Sequence, residues 1–102
     1  MKNLITSVEQ IDNIPVDFSL KQNYPNPFNP STTIEYSIPS RNHVTLKVYD
    51  VLGKEVTTLV SDTKPSGNYQ VSFDANNLSS GVYFYRIIAG NFQEVRKMIL
   101  SK

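Results

Sequence analysis

Short segments with alternating apolar and polar residues recur along most of this chain, at intervals of roughly 10 to 12 residues. In residues 43–50, for example, Val44, Leu46 and Val48 alternate with polar neighbours. A period of two places the apolar side chains on one face of a β-strand, whereas a helix needs a period near 3.6. Because no segment sustains the helical period, the pattern predicts an all-β sandwich or barrel.

Glycine, proline and asparagine residues lie between these segments and mark the turns. Gly53 supplies a turn after Asp50, and the pair Gly90-Asn91 is typical of a tight hairpin. Residues 82–88 are apolar at both parities, which predicts a central strand covered on both faces over part of its length. We predict about seven strands, near residues 18–20, 32–38, 43–50, 54–60, 68–74, 82–88 and 92–100.

The chain divides into a short lead-in and one domain. Residues 1–16 hold isolated Ile and Val at no sustained period, so we expect a linker or flexible lead-in there. Residues 17–102 contain every predicted strand, and 102 residues suffice for one core only. Within this domain, residues 23–31 place three prolines among asparagines, which predicts a rigid loop without helix.

Composition and charge exclude several partners. The formal net charge is +1, so the chain lacks the charge needed to attract nucleic acid or an anionic membrane. It has no cysteine, which excludes disulfides and thiolate metal sites. Its apolar runs fall far short of the roughly 20 residues of a membrane helix, and residues 1–20 lack the apolar core of a signal peptide. We predict no nucleic-acid partner and no transmembrane segment.

Candidate catalytic and metal-binding residues are few. His43 is the sole histidine and begins a predicted strand, where an exposed histidine is ordinary. The aspartates near strand ends lack the clustered spacing of a Ca²⁺ loop, and the glutamates would need a cleft for which a small domain has little room. These carboxylates are Asp50, Asp62 and Asp74, and Glu35, Glu55 and Glu94. We predict no catalytic site, no cofactor and no metal.

A group of aromatic residues could form a stacking platform for sugars. At alternating strand positions, however, aromatic side chains mostly lie in the core or pair across strands, so we favour a structural role. The residues are Tyr49, Tyr69, Tyr83, Phe84 and Tyr85.

Four segments resemble, in the same order, the motifs of a known family. They are LKQNYPNPFNPSTTI at residues 20–34, VYDVLGKEV at 48–56, LSSGVYFYR at 78–86 and KMILSK at 97–102. Together they are similar to type A C-terminal sorting domains of the type IX secretion system, found in Bacteroidota and their relatives. The resemblance covers residues 18–102, and the order of its motifs makes it specific.

The resemblance implies an immunoglobulin-like β-sandwich that directs an N-terminal passenger protein across the outer membrane. In the family, the translocon recognises the folded domain as it leaves the periplasm, and a cell-surface signal protease often removes it. We therefore expect transit through the periplasm, a final location at the cell surface or outside the cell, and cleavage within residues 1–16.

By position, the resemblance places most of the sorting information in the strand after residue 80 and at the C-terminus. We expect an exposed last strand whose unpaired backbone groups a partner strand could bind, and chains lacking residues 97–102 that fold but are not exported. The candidate recognition residues are Gly81, Val82, Tyr83, Lys97, Met98, Ile99, Leu100 and Lys102. The loop residues with a structural role are Asn23, Tyr24, Pro25, Asn26, Pro27, Phe28, Asn29 and Pro30.

Two alternatives stay open at this point, because a fold does not determine a function. One is a structural immunoglobulin-like spacer of a larger secreted protein. The other is a carbohydrate-binding β-sandwich module that uses exposed tyrosines.

Overall fold

The computed structural model describes residues 14–102, and these residues form seven β-strands without a helix. No helix that is long and apolar enough to cross a membrane therefore occurs within residues 14–102. Most of the predicted lead-in, residues 1–13, lies outside the described residues. The strands are β1 (Ser19–Leu20), β2 (Ser31–Ile38), β3 (Asn42–Tyr49), β4 (Glu55–Lys64), β5 (Gly67–Asp74), β6 (Gly81–Ala89) and β7 (Phe92–Leu100).

The strands form two antiparallel sheets that pack face to face. The first sheet has the order β1-β2-β5, and the second has the order β4-β3-β6-β7. The predicted antiparallel sandwich of seven strands is therefore confirmed.

The core lies between the sheets and is built from the alternating apolar residues of the strands. In β3, Val44, Leu46 and Val48 are fully buried, whereas His43 is exposed. Burial of a side chain of this size contributes about 1.5–3 kcal/mol, so the alternation itself drives the sheets together. The other buried apolar residues are Leu20, Phe28, Ile34, Tyr36, Ile38, Phe73, Ala75, Tyr83, Tyr85, Ile87, Ala89, Met98 and Leu100.

Strand β4 extends beyond its predicted end near residue 60 and continues to Lys64. Its polar second half pairs with β3, with Ser61 opposite Thr45 and Thr63 opposite His43. The register shifts of this pair lie between residues 55 and 60 of β4, whereas residues 61–64 pair in regular register but are all polar, so they lack the alternation that marks a strand in the sequence. A polar edge strand is consequently harder to recognise than a buried one.

The turn between β3 and β4 is held by Asp50. Its carboxylate accepts hydrogen bonds from the N–H groups of Leu52 at 3.0 Å and Lys54 at 2.9 Å. Gly53 has a φ of 83°, in the left-handed region that favours glycine. The turn holds the apolar side chains of Val51 and Leu52 in solvent, 64% and 88% exposed.

Strand β6 lies between β3 and β7, so its predicted central position is confirmed. Its inward side chains, such as Tyr85 and Ile87, are fully buried against the first sheet. Its outward side chains, such as Phe84 and Ile88, are only half-buried, because no other layer within residues 14–102 packs on them. The sequence predicted that both faces of this strand are covered over part of its length, but within residues 14–102 no layer covers the outer face of β6.

Candidate recognition site at the C-terminal strand

A loop of residues 21–30, here called the proline loop, joins the two sheets along one side of the sandwich. Its first part is bonded to β2 of the first sheet. The Lys21 N–H donates to the Glu35 carbonyl at 2.9 Å, and Tyr24 and Thr33 exchange two backbone hydrogen bonds at 3.0 and 2.8 Å. The loop therefore begins as a continuation of the first sheet.

The second part of the proline loop is bonded to the outer edge of β7 in the second sheet. The Phe28 N–H donates to the Ile99 carbonyl, and the Ser101 N–H donates to the Phe28 carbonyl, both at 2.9 Å. The Asn26 side-chain oxygen accepts the Ile99 N–H at 3.0 Å. Because Phe28 is itself 2% exposed, this attachment is anchored in the core.

The last part of β7 is consequently not a free edge. Besides the bonds to Ile99 and Ser101, the Lys97 carbonyl accepts a hydrogen bond from the Gln22 side chain at 2.7 Å. The prediction of an exposed last strand with unpaired backbone groups is wrong for this part. The backbone N–H and C=O groups of successive residues point alternately to the two sides of a strand, so those of Val95 point away from β6, as those of Ile99 do. Within residues 14–102, no group forms a hydrogen bond with the backbone N–H or C=O of Val95.

Two residues far apart in the sequence hold the start of the proline loop. The Tyr85 hydroxyl accepts the Asn23 N–H at 2.8 Å and donates to the Lys21 carbonyl at 2.7 Å. The Asn23 side chain donates to the Pro25 carbonyl at 3.1 Å and to the Thr32 hydroxyl at 3.0 Å. Asn23 is 2% exposed, so these bonds satisfy its backbone N–H and its side-chain amide where water does not reach them.

Burial raises the pKa of Tyr85 to about 12, although the hydrogen bond from Asn23 and the charge of Arg96 act to lower it. A hydroxyl whose pKa is higher in the folded chain than in the unfolded chain stabilises the fold at pH values below its unfolded pKa of 10.0. That contribution is lost as the pH rises through the folded pKa. We expect the free energy of unfolding to fall between about pH 10 and 12.

Replacing Tyr85 with phenylalanine tests this arrangement. The change leaves the Asn23 N–H and the Lys21 carbonyl without their partner, so we expect a loss of about 1–3 kcal/mol at neutral pH. It also makes the alkaline decline shallower; some decline remains, because burial raises the pKa of Tyr36 as well. Urea unfolding at several pH values measures both effects. An equally steep alkaline decline in both proteins would contradict the role of Tyr85.

The predicted recognition residues come together at one end of the second sheet, where Gly81 of β6 pairs with Leu100 of β7. Lys102 follows this pair, and it donates to the Ser80 hydroxyl at 3.0 Å and to the Asn76 carbonyl at 2.6 Å. Solvent reaches only some of the set. Gly81, Lys97, Ile99 and Lys102 are exposed and Val82 is half-buried, whereas Tyr83, Met98 and Leu100 lie in the core.

The aromatic residues do not form a common platform. Tyr83 and Tyr85 are in the core, which confirms the structural role predicted for them. Tyr69 stacks on Tyr36 of the neighbouring strand, with ring centroids 5.3 Å apart. The remaining two, Tyr49 and Phe84, lie opposite each other on the outer face of the second sheet.

The carboxylates considered for catalysis or Ca²⁺ binding are separate from one another. The three aspartates each accept a backbone N–H near their own turn or strand. Glu35 bonds the Tyr24 hydroxyl, Glu94 pairs with Arg96, and the bond from Lys47 lowers the pKa of Glu55. Across the part of the chain that the structure describes, no three metal-binding side chains are grouped.

Two residues of this site, Gln22 and Arg96, were not predicted from the sequence, and Asn26 was predicted as a structural loop residue without its partner. All three connect the proline loop and β1 to β7, with Arg96 donating to the Leu20 carbonyl at 2.6 Å. Their partners are more than 70 residues away in the chain, so no local pattern could have identified them.

Comparison with known protein families gave a match. The family described as secretion system C-terminal sorting domain matches residues 22–101. The matched span begins in the proline loop and ends just after β7, so it includes both parts of the site. Neither the search of curated proteins nor that of solved structures found a match.

Proposed function

The chain belongs to the family of secretion system C-terminal sorting domains, and from this premise we propose that the type IX translocon recognises it as a folded sandwich. Its function is that of a C-terminal sorting signal for type IX secretion, which directs a passenger protein to the cell surface or beyond. The family is one of sorting domains and not a catalytic family. The match over residues 22–101 is the observation that carries the proposal.

Recognition in the folded form is supported by the way the motifs meet. The proline loop and the C-terminal strand lie far apart in the sequence, and the hydrogen bonds of Phe28 with Ile99 and Ser101 bring them together. An unfolded tail would present Met98 and Leu100, which the fold buries. A partner of the folded domain instead meets exposed side chains, so we assign contacts to the exposed set Gly81, Lys97, Ile99 and Lys102.

The buried members of the predicted set have a different role in this proposal. Tyr83, Met98 and Leu100 are core residues of β6 and β7, and they keep the exposed residues in place. Val82 belongs to the outer face of the second sheet. Mutation of a core residue would thus impair export through folding and not through a lost contact.

The finer steps of the pathway belong to the same proposal. The passenger lies N-terminal to the domain and crosses the periplasm with it. A cell-surface signal protease then cleaves the junction within residues 1–16. We infer that the domain has no catalytic site of its own, because the carboxylates in its described part lie apart and bond neighbouring groups.

A reporter fusion tests the proposal. The whole 102-residue chain is placed after a fluorescent protein that carries an inner-membrane signal peptide, in a host with a type IX system. We expect fluorescence at the surface or in the medium, and its loss when the translocon is disabled. The control is the same reporter without the domain, which stays in the periplasm. Retention of both proteins in the periplasm would favour the structural spacer instead.

A further inference from the structure

The two sheets differ in the chemistry of their outer faces. The outward residues of β2 and β5 in the first sheet are polar along their whole length. The outward residues of β6 and β7 in the second sheet are mostly apolar. The first set includes Thr33, Glu35, Ser37, Gln70 and Ser72, and the second includes Val82, Phe84, Ile88, Val95 and Ile99. An exposed sheet face is ordinarily polar, so the apolar face of the second sheet requires an explanation.

Apolar and cationic side chains alternate across this face. Register places Val82 opposite Ile99, Phe84 opposite Lys97, and Arg86 opposite Val95. Val95 is 54% exposed and Ile99 is 37% exposed, so neighbouring side chains of the sheet do not cover them.

The turn between β3 and β4 extends the same surface. A shallow cavity of about 290 Å³ is lined by Val51 of the turn together with Tyr49, Phe84, Arg86 and Val95. Of the seven large apolar side chains exposed within residues 14–102, four belong to this face or its turn. They are Val51, Leu52, Val95 and Ile99.

The charged groups on this face are mainly cations. The Arg86 guanidinium lies 5.5 Å from the centre of the Tyr49 ring and donates to its hydroxyl at 3.3 Å. Neither Arg86 nor Lys97 forms an ion pair with any carboxylate of residues 14–102. Glu55 is already paired with Lys47 at 3.1 Å, and the Asp50 carboxylate, which also lines the cavity, accepts the N–H groups of Leu52 and Lys54. The face therefore offers two cations that a partner's carboxylates could bind.

These features identify the kind of occupant. The face of a sheet presents side chains, whereas strand addition uses the backbone groups at a sheet edge, so a partner docked on this face contacts side chains. Arginine and aromatic residues are enriched in protein interfaces. A second copy docked by two-fold symmetry would bring Arg86 and Lys97 toward like charges, which disfavours self-association.

We propose that the outer face of β6 and β7, with the turn at residues 50–54, docks a protein component of the translocon that presents apolar side chains and carboxylates. This inference rests on the proposed sorting function and adds the surface and the chemistry of the partner. It makes Val95 and Lys97 residues that determine recognition.

Matched substitutions in the reporter fusion test the docking face. Val95→Glu and Ser72→Glu each add one carboxylate at an exposed, outward position of an edge strand, on the second and first sheet respectively. We expect Val95→Glu to reduce export at least about tenfold and Ser72→Glu to stay within about twofold of the unchanged fusion. Lys97→Glu, which reverses a cation of the face, should reduce export similarly. Because these side chains point outward, the melting temperatures of the purified chains should change by no more than a few degrees.

Crosslinking identifies the partner. A photoreactive phenylalanine analogue at position 95 is expected to form an adduct with a translocon protein in exporting cells, and one at position 72 is not. An adduct between two copies of the chain, or binding of the purified chain to anionic phospholipid vesicles that Val95→Glu abolishes, would overturn the inference. Equal export of the unchanged and Val95→Glu fusions would also overturn it while leaving the sorting function intact. Failure of the unchanged fusion to be exported would overturn both.

Discussion

Chains that lack residues 97–102 are expected not to fold. The deletion removes Met98 and Leu100, which are 0% and 1% exposed in the core. It also removes the partners of the first part of β6 and the hydrogen bonds between β7 and the proline loop. Losing one buried side chain of this size costs about 2–5 kcal/mol, and a small domain has about 5–15 kcal/mol in all. We expect no cooperative thermal transition in the truncated chain.

This expectation revises the prediction that such a chain folds but is not exported. Loss of export on truncation would reflect unfolding, so only point changes at exposed positions separate recognition from folding. The matched control is a chain that lacks Lys102 alone. That deletion removes two solvent-exposed hydrogen bonds, to Ser80 and Asn76, and should lower stability by less than about 1 kcal/mol. A cooperative transition in the chain without residues 97–102 would show that its remaining core suffices.

The strands and the core were largely predictable because both depend on local pattern. Alternating residues such as Val44, Leu46 and Val48 determine which side of a strand is buried, whatever its neighbours are. Strand β4 shows the limit of this reasoning. Its extension to Lys64 pairs with β3 in regular register, but residues 61–64 are all polar, so the sequence has no alternation there to detect.

The site was less predictable because it depends on distant pairing. Sequence motifs indicated that the proline loop and the C-terminus matter, but not that they touch. The sequence predicted a free edge for the last strand, yet Ile99 uses its N–H and its carbonyl to bind Asn26 and Phe28. Only the three-dimensional position of the loop reveals this.

The outer face of the second sheet was predictable in part. Residues 82–88 are apolar at both parities, and this signal indicated that something should cover both faces. The structure shows which face remains uncovered within residues 14–102 and adds Val95 and Ile99 from β7 to it. The alternating pattern of β7 alone would not have identified an apolar face, because Lys97 lies between Val95 and Ile99.

Replacing Phe28 with alanine should lower the free energy of unfolding by about 3–5 kcal/mol. The ring is 2% exposed and packs against Phe73 with a centroid distance of 6.0 Å. Its removal leaves a cavity at the point where the proline loop is anchored. The loss of packing should also release the loop from Ile99 and Ser101, although alanine retains the backbone groups that bind them.

Hydrogen exchange and urea unfolding measure these two effects of Phe28→Ala separately. The amides of Ile99 and Ser101 should lose protection beyond the change in global stability, because both bond to the loop. Asn29→Ala is the matched control, since Asn29 is an exposed neighbour in the same loop, and it should change stability by no more than about 0.5 kcal/mol. An edge of β7 that opens in this way would expose unpaired backbone groups to other chains, so Phe28→Ala should also aggregate more readily. Equal stability of the two variants would mean that the loop does not hold the sheets together, and that the edge of β7 is protected by other contacts.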